Sequence, residues 1–484
     1  MPAFIRRCIP FSWLLTLTLA LGGCAVPPAP APTTASPSTA AIEPSATLPP
    51  PTGTPEAAPP PDSIFHNGTI LTMDQALPLG QAIAIQGERV LAVGNEVQIL
   101  AMRGLETQVV DLGGRTLMPG FVDAHTHLLN DAWRMGLDLE GAQELALRIG
   151  ITTLADAYVT PAFLEEMRRF DADGRLRVRT SLYLVVSDNC GVLQGDWYLD
   201  HPPTREPGEM LRIGGVKIFA DGGSCGRPAL SYVAPGAHGL GDLWFSQEGL
   251  TAAVTEADRA GYQVVIHALG DRAVEQAQNA LAAVLDGGPN TLRHRIDHNA
   301  VIRPDLMARY GELGIVTVIF GAYPLCSPRD LPAPYRDWEW PWRQLLDANP
   351  GLHVAWQGDD PWLPPVSPIL DLYGLVTRRA TTPDGSAPCD LPSWLADDAI
   401  TVEQALPLMT AGSAYALFRE EEVGSLEPGK FADLILLSAN PQAVDPEALR
   451  DLQVLMTMVG GRVGFCLPGS ETLCPQPGSP AAGG

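Results

Sequence analysis

The chain has 484 residues, 46% of them hydrophobic, enough for a core larger than one average domain needs. Acidic residues number 55 against 31 basic, a formal net charge of −24, which argues against nucleic acid and anionic membrane surfaces as partners. Charged residues are only 18% of the whole, so the chain is no disordered polyelectrolyte.

The first residues read as a targeting segment. Arg6 and Arg7 form a short basic region, and the apolar stretch Cys8 to Ala20 is too short to span a bilayer comfortably. Leu21-Gly22-Gly23-Cys24 resembles a bacterial lipobox. The resemblance implies a signal peptide over residues 1–23, a lipid anchor on Cys24 and an extracytoplasmic, membrane-held protein. Residues 24–62 follow as a tether. Thirteen of residues 25–62 are proline, which removes backbone donors and leaves little to bury.

Beyond Asp62 the composition changes. Residues 63–117 carry short β-type runs such as Ile64 to Leu71, Ala82 to Ile85 and Arg89 to Val93, punctuated by Gly68, Gly87 and Gly94. Residues 418–465 carry matching runs, Ala432 to Leu437 and Val454 to Val463. Two β-rich arms around a long middle predict one small β-sandwich built from both ends of the chain. Residues 466–484 remain as a tail, where Cys466 and Cys474 are spaced to form a disulfide in an exported chain. Cys190, Cys225, Cys326 and Cys389 have no pairing that spacing alone sets.

The middle, residues 118–417, alternates strands and helices. Strands are expected at 119–125, 150–156, 178–185, 215–220, 263–267, 294–298, 315–320 and 353–357. Helical spacing is clearest from Ala162 to Phe170 and from Gly249 to Ala260, where Leu250, Val254 and Ala257 share a face. Eight such units predict an α/β chain folded as a (β/α)8 TIM barrel. An open doubly wound sheet is the alternative, but no Gly-x-Gly-x-x-Gly turn follows a strand.

The polar exceptions in these runs fall at strand ends. By alternation, His125 and His127 share a face above Asp123. Lys217 lies in strand four, His267 and His298 end strands five and six, and Asp359 follows strand eight. In a barrel these ends share one mouth. Singly, each has a plainer reading. His267 or His298 could be a hydrogen-bonded core histidine, His294 competes with His298, Lys217 could pair with Asp221, and Asp359 could be a turn residue. Together they predict a metal site.

Several segments resemble a known family. Leu117 to His127 is similar to the first-strand signature of the amidohydrolase superfamily. Val216 to Gly222 and Ile266 to Ala273 resemble its amidohydrolase 3 branch, the YtcJ-like hydrolases. Arg295-Ile296-Asp297-His298 resembles that branch's Arg-Ile-Glu-His, and Gly358 to Pro361 resembles Gly-Ser-Asp-x-Pro with glycine in place of serine. Gly424 to Leu434 resembles the returning sandwich segment. The resemblance spans residues 63–465. It implies hydrolysis of an amide or related C–N bond of a small molecule by a metal-activated hydroxide. His125, His127 and Asp359 would bind one divalent metal, zinc in the first instance, and His267 and His298 a second. Lys217 would bridge them as a carbamate, and Asp359 would act as general base and acid.

Two departures bear on substrate. The family's insertion after Gly136 to Gly141 is missing, and strand seven ends in Phe320-Gly321-Ala322-Tyr323-Pro324 rather than near Gln-Pro. Arg227 is a candidate substrate contact, or else pairs with an acid. Tyr335, Trp338, Trp340, Trp342 and Trp362 would form a lid, an apolar wall or simple packing. Competing functions are an esterase-type hydrolase, a surface binding protein on an inactive barrel, or a deaminase. Ala268-Leu269-Gly270-Asp271 after His267 disfavours the deaminase, which would place a glutamate there.

Overall fold

The computed structural model describes residues 59–476 apart from residues 224, 322–325, 327–331 and 390–396. The basic leader, Cys24 and the tether up to residue 58 lie outside the described residues. The end of the proline-rich stretch already joins the fold: Pro61 is buried, and the Asp62 amide donates to the Ile85 carbonyl at 2.8 Å.

Short apolar runs broken by turns give the first seven strands. They are β1 (Ser63–His66), β2 (Thr69–Leu71), β3 (Leu79–Gly80), β4 (Ala82–Gln86), β5 (Arg89–Gly94), β6 (Gln108–Asp111) and β7 (Thr116–Pro119). The turn from β1 to β2 places Asn67 at φ +56, where asparagine is tolerated. Gly68 follows because a Cβ there would lie 2.6 Å from the Arg115 carbonyl oxygen.

Eight parallel strands come next: β8 (Phe121–Thr126), β9 (Ile151–Val159), β10 (Arg179–Val185), β11 (Leu211–Phe219), β12 (Gln263–Ala268), β13 (Arg295–His298), β14 (Val316–Phe320) and β15 (Val354–Gln357). They pair in chain order, and every expected strand is present. The seam between β15 and β8 is bridged just beyond the ladder. Asp359 N donates to the His125 carbonyl at 3.1 Å, and His127 N donates to the Asp360 carbonyl at 2.8 Å. The barrel therefore closes where the expected metal ligands sit.

Helices cover the barrel because their apolar stripes match the strands' outer faces. Thr160 caps Pro161–Ala172, accepting from Phe163 N, and the helix buries Phe163, Leu164, Met167 and Phe170. Ser246 caps Gln247–Arg259 in the same way, burying Leu250, Val254 and Ala257. On β11, Val216 and Ile218 join this outer core. Val122, Ala124, Val265, Val316 and Val318 fill the barrel interior.

The chain then returns to its start with β16 (Leu434–Leu437), β17 (Val454–Val459) and β18 (Arg462–Cys466). These extend β3-β2-β7 into a six-stranded sheet facing the four-stranded sheet β5-β4-β1-β6. Alternation divides β16 between two cores. Leu434 and Leu436 enter the sandwich with Phe65, Ile83 and Met456, while Ile435 and Leu437 pack on the barrel layer. A strand buried on both faces has to read as a continuous apolar run, and this one does. Arg179 on β10 ties the barrel to this domain, meeting Asp433 through Nε–Oδ2 at 2.7 Å and Nη2–Oδ1 at 3.2 Å. Disulfides join Cys466 to Cys474, Cys190 to Cys225 and Cys326 to Cys389. The first is the expected staple of the tail. Among the described residues no helix is long and apolar enough to cross a membrane.

Candidate active site

β8 does not simply alternate to its end. Its register against β9 shifts between Asp123 and Thr126. Ala124 faces the interior, and the His125 ring also reaches the barrel centre. Asp123 is therefore not a third group beneath the two imidazoles. Its carboxylate accepts from the backbone amides of His125 at 3.1 Å and Gly358 at 3.2 Å, so it braces the seam. Burial pushes the Asp123 carboxyl well above the usual range, reinforced by Asp371 and Asp359.

His125 is aimed by a residue from β13. Its Nδ1 lies 2.6 Å from Asp297 Oδ2, both groups fully buried. That bond keeps the proton on Nδ1 and leaves the Nε2 lone pair facing the centre. Asp359 Oδ1 lies 3.6 Å from this Nε2 and 3.4 Å from His127 Nε2. His125, His127 and Asp359 each offer a ligand atom within 4.8 Å of the others.

His298 reaches the centre by a different device. Ile296 points outward to the helices, so strict alternation would send His298 the same way. Instead His298 takes φ +81 and Asn299 φ +55. Asp359 also takes a left-handed φ, +57. Such backbone is uncommon outside glycine, and asparagine, aspartate and histidine are the residues that adopt it most readily. The His298 ring then lies 4.6 Å from the His125 ring and 4.3 Å from the His267 ring. The Gln357 amide donates through Nε2 to His298 Nδ1 at 2.8 Å, and the same Nδ1 lies 3.9 Å from Asp359 Oδ2.

Lys217 points inward between these groups, its Nζ 3.2 Å from His125 Nε2. Burial lowers its pKa to about 8, opposed by the carboxylates of Asp297 and Asp359. Asp221 is not its partner. The Asp221 carboxylate accepts from the amides of Ala229, Leu269 and Gly270 at 2.8 to 3.0 Å, locking together the loops after β11 and β12. Burial depresses His125, His267 and His298 well below the usual histidine range, with neighbouring cationic groups reinforcing it.

The residues fit a metal. Nδ1 of His127 and Nε2 of His298 are buried with no hydrogen-bond partner among the described residues, and Nε2 of His267 has Asp221 Oδ1 at 3.5 Å. Neutral imidazoles with unused nitrogens beside a carboxylate are a divalent-ion donor set, whereas as a plain core they would each carry a desolvation cost. His294, the competitor, lies elsewhere: its Nδ1 accepts from Val264 N and its Nε2 meets Asp258.

Above these groups opens a cavity of about 560 Å³. His127, His267, His298 and Asp359 reach it from below, and its walls include Tyr158, Phe219, Phe320, Trp340 and Trp362.

A family model described as the amidohydrolase family matches residues 108–159 and 139–465. The chain belongs to the amidohydrolase family. Relatives include Protein LONG AFTER FAR-RED 3 of Arabidopsis thaliana, 25% identical over 83% of this chain and 91% of that protein. The putative amidohydrolase YtcJ of Bacillus subtilis is 28% identical over 53% of this chain and 48% of its own length. The N-substituted formamide deformylase of Arthrobacter pascens is 28% identical over 67% and 59%. Among solved structures, an uncharacterized metal-dependent hydrolase of Pyrococcus furiosus shares the fold with a TM-score of 0.64 and 20% identity, over 78% of this chain and 99% of that one. Membership places this amidohydrolase among hydrolases of carbon–nitrogen bonds.

Not every candidate converges on the amidohydrolase pocket. Arg227 is exposed and donates through Nη2 to the His238 carbonyl, while its neighbour Pro228 supplies the wall. The aromatic set divides. Trp340 and Trp362 line the cavity, Trp342 is buried in the core, and Tyr335 and Trp338 pack on Tyr232. The sequence reading gave no role to Asp297, Gln357 or Asp131. Arg295-x-Asp297, two charges sharing one face of an otherwise apolar strand, was the available signal for the first. Tyr323 and Pro324 lie outside the described residues.

Proposed function

We propose that this protein hydrolyses an amide or related C–N bond of a small molecule, with one or two divalent ions, zinc in the first instance, held by His125, His127, His267, His298 and Asp359. The observation that carries the reading is the meeting of His125, His127 and Asp359, their ligand atoms within 4.8 Å, at the closed seam of the barrel. A divalent ion bound there polarises a carbonyl and makes a water molecule acidic near neutral pH. The chain's own residues do the rest. Asp297 fixes the tautomer and orientation of His125. Asp359, exposed to the cavity, takes a proton from the attacking water on its free carboxylate oxygen and returns it to the leaving nitrogen. Phe219, Phe320 and Trp340 exclude bulk water.

Lys217 would supply a further anionic ligand as a carbamate if a second ion is bound. Its buried amine would add to CO2, forming an N–C bond and releasing one proton. The carbamate would present one negative charge shared by two oxygens in place of the neutral amine. We further propose that the chain is exported and held by a lipid on Cys24, a reading supported by three disulfides of the kind that persist in oxidising compartments.

The test joins metal analysis to catalysis. Purified protein should carry one or two divalent ions per chain, lose amide hydrolysis on chelation and regain it on adding metal. A metal-free preparation of full activity, or a metal-loaded one inert toward every amide tried, would sink the reading. Lys217→Ala should lower both metal content and activity. Cys24→Ser should release the protein from membranes.

A further inference from the structure

Trp133 and Trp362 lie 229 positions apart (362 − 133), yet one carboxylate holds both. Asp131 Oδ1 accepts from Trp133 Nε1 at 3.2 Å, and Asp131 Oδ2 accepts from Trp362 Nε1 at 2.8 Å. The clamp hangs directly from the reacting centre. Asp131 N donates to the His127 carbonyl at 2.8 Å, and Trp362 N donates to the Asp359 carbonyl at 3.0 Å. Each indole is therefore only a few residues from a group at the centre and has little freedom relative to it. Asp131 and Trp362 line the cavity, Trp362 being 39% exposed, whereas Trp133, 68% exposed, stands outside the lining and braces Asp131.

The charge of the wall is one-sided. Among the described residues lining the cavity there is no lysine or arginine, while Asp131, Glu339 and Asp359 are present. Arg134 stands close, its guanidinium 3.7 Å over the Trp362 ring, but it stacks on the indole and does not line the cavity. A substrate carboxylate would meet acids and aromatic faces. An uncharged aryl or alkyl group would meet the Trp362 indole, already held by Asp131, which lowers the entropy lost on binding.

We infer that the Asp131–Trp133–Trp362 clamp is the specificity subsite for the non-reacting end of the substrate, and that it selects an uncharged aromatic or bulky apolar substituent on the amide. This rests on the hydrolytic reading above, so the test carries a binding arm independent of turnover.

The probes are N-(2-phenylethyl)acetamide, its para-carboxylate and N-methylacetamide, with metal-loaded full-length protein. The neutral aryl amide should exceed the methyl amide in kcat/KM by roughly 10- to 100-fold, and its carboxylated analogue by about tenfold or more. Trp362→Ala and Asp131→Ala should collapse the aryl-to-methyl ratio, and Trp362→Phe should restore most of it. In the binding arm, quenching of tryptophan fluorescence by the aryl amide on metal-free protein should weaken in the same variants. If the carboxylated analogue is preferred, or if the ratio survives Trp362→Ala in a folded protein, the subsite is disproved. Hydrolysis of all three amides at similar rates disproves the subsite and leaves the hydrolytic reading intact. Clamp-dependent binding without hydrolysis of any amide does the reverse.

Discussion

The two ends of the barrel use buried charge in opposite ways. At the N-terminal end, Arg179 and Asp433 meet through two hydrogen bonds, and Gly460 N completes the carboxylate at 2.7 Å. Arg419, fully buried beside them, donates to the carbonyls of Glu209, Met210 and Thr180 and to the Ser181 hydroxyl. At the C-terminal end, His298 Nε2 and Asp297 Oδ1 have no hydrogen-bond partner among the described residues, and His298 and Asp359 sit in left-handed backbone. One end spends its polar groups on holding the protein together. The other aims them at one centre and leaves some nitrogens and oxygens unbonded, which is arrangement for an incoming ligand.

Substitutions at the two ends should therefore fail differently. Asp359→Asn should lower kcat by about 10²- to 10⁴-fold, with little change in the thermal midpoint read on the same preparation. A comparable loss of stability would erase the contrast. Asp433→Ala should do the opposite, costing about 3–5 kcal/mol because Arg179 is left buried and unpaired. Denaturant titration would read that loss, with specific activity per folded molecule retained. Asp297→Asn should reduce metal affinity by about 10- to 100-fold, since it releases His125 rather than removing a ligand. Competition with a chelator would measure it.

A fourth test uses pH. Burial holds His125, His267 and His298 neutral in the fold, well below the usual histidine range. In the unfolded chain each binds a proton near pH 6.5. Below that pH the unfolded state binds more protons at these three rings, so they weaken metal-free protein as pH falls, whereas Asp123, Asp156 and Asp221, whose carboxyls burial raises, act in the opposite sense. His298→Gln should flatten the slope. An unchanged slope would mean these rings are not held neutral by the fold. The smallest effect belongs to Arg227→Ala, a surface change expected within about 0.5 kcal/mol and without consequence for KM.

Sequence showed one end of this contrast far better than the other. The eight apolar runs, the cap residues and the strand-end histidines are local signals, and all eight strands stand where periodicity put them. His125, His127 and Asp359 come together, with Lys217 against His125 and the His298 ring between those of His125 and His267. What periodicity could not show is how they meet. A register shift in β8 sets Asp123 apart from the imidazoles, and a positive φ turns His298 inward against its strand's alternation. Neither leaves a mark in residue type. The rim was least legible, because Asp131, Trp133 and Trp362 are joined only by the barrel's closure. Arg227, chosen for its neighbours in the chain, turned out to serve a loop carbonyl.

The pairing of β7 with β16 also sets a schedule. Pro119 lies opposite Leu434, 315 residues later (434 − 119). At roughly 5–20 residues per second a ribosome needs about 15–60 s to make that interval. For that time one edge of β7 has no partner, its other edge being paired with β2, and an unpaired edge of this kind recruits other chains. A nascent chain of this design needs either a guardian for its first strands or a delay in folding until its last ones arrive. Loss of the final forty residues would remove β17 and β18, and so would damage the part of the protein that was made first.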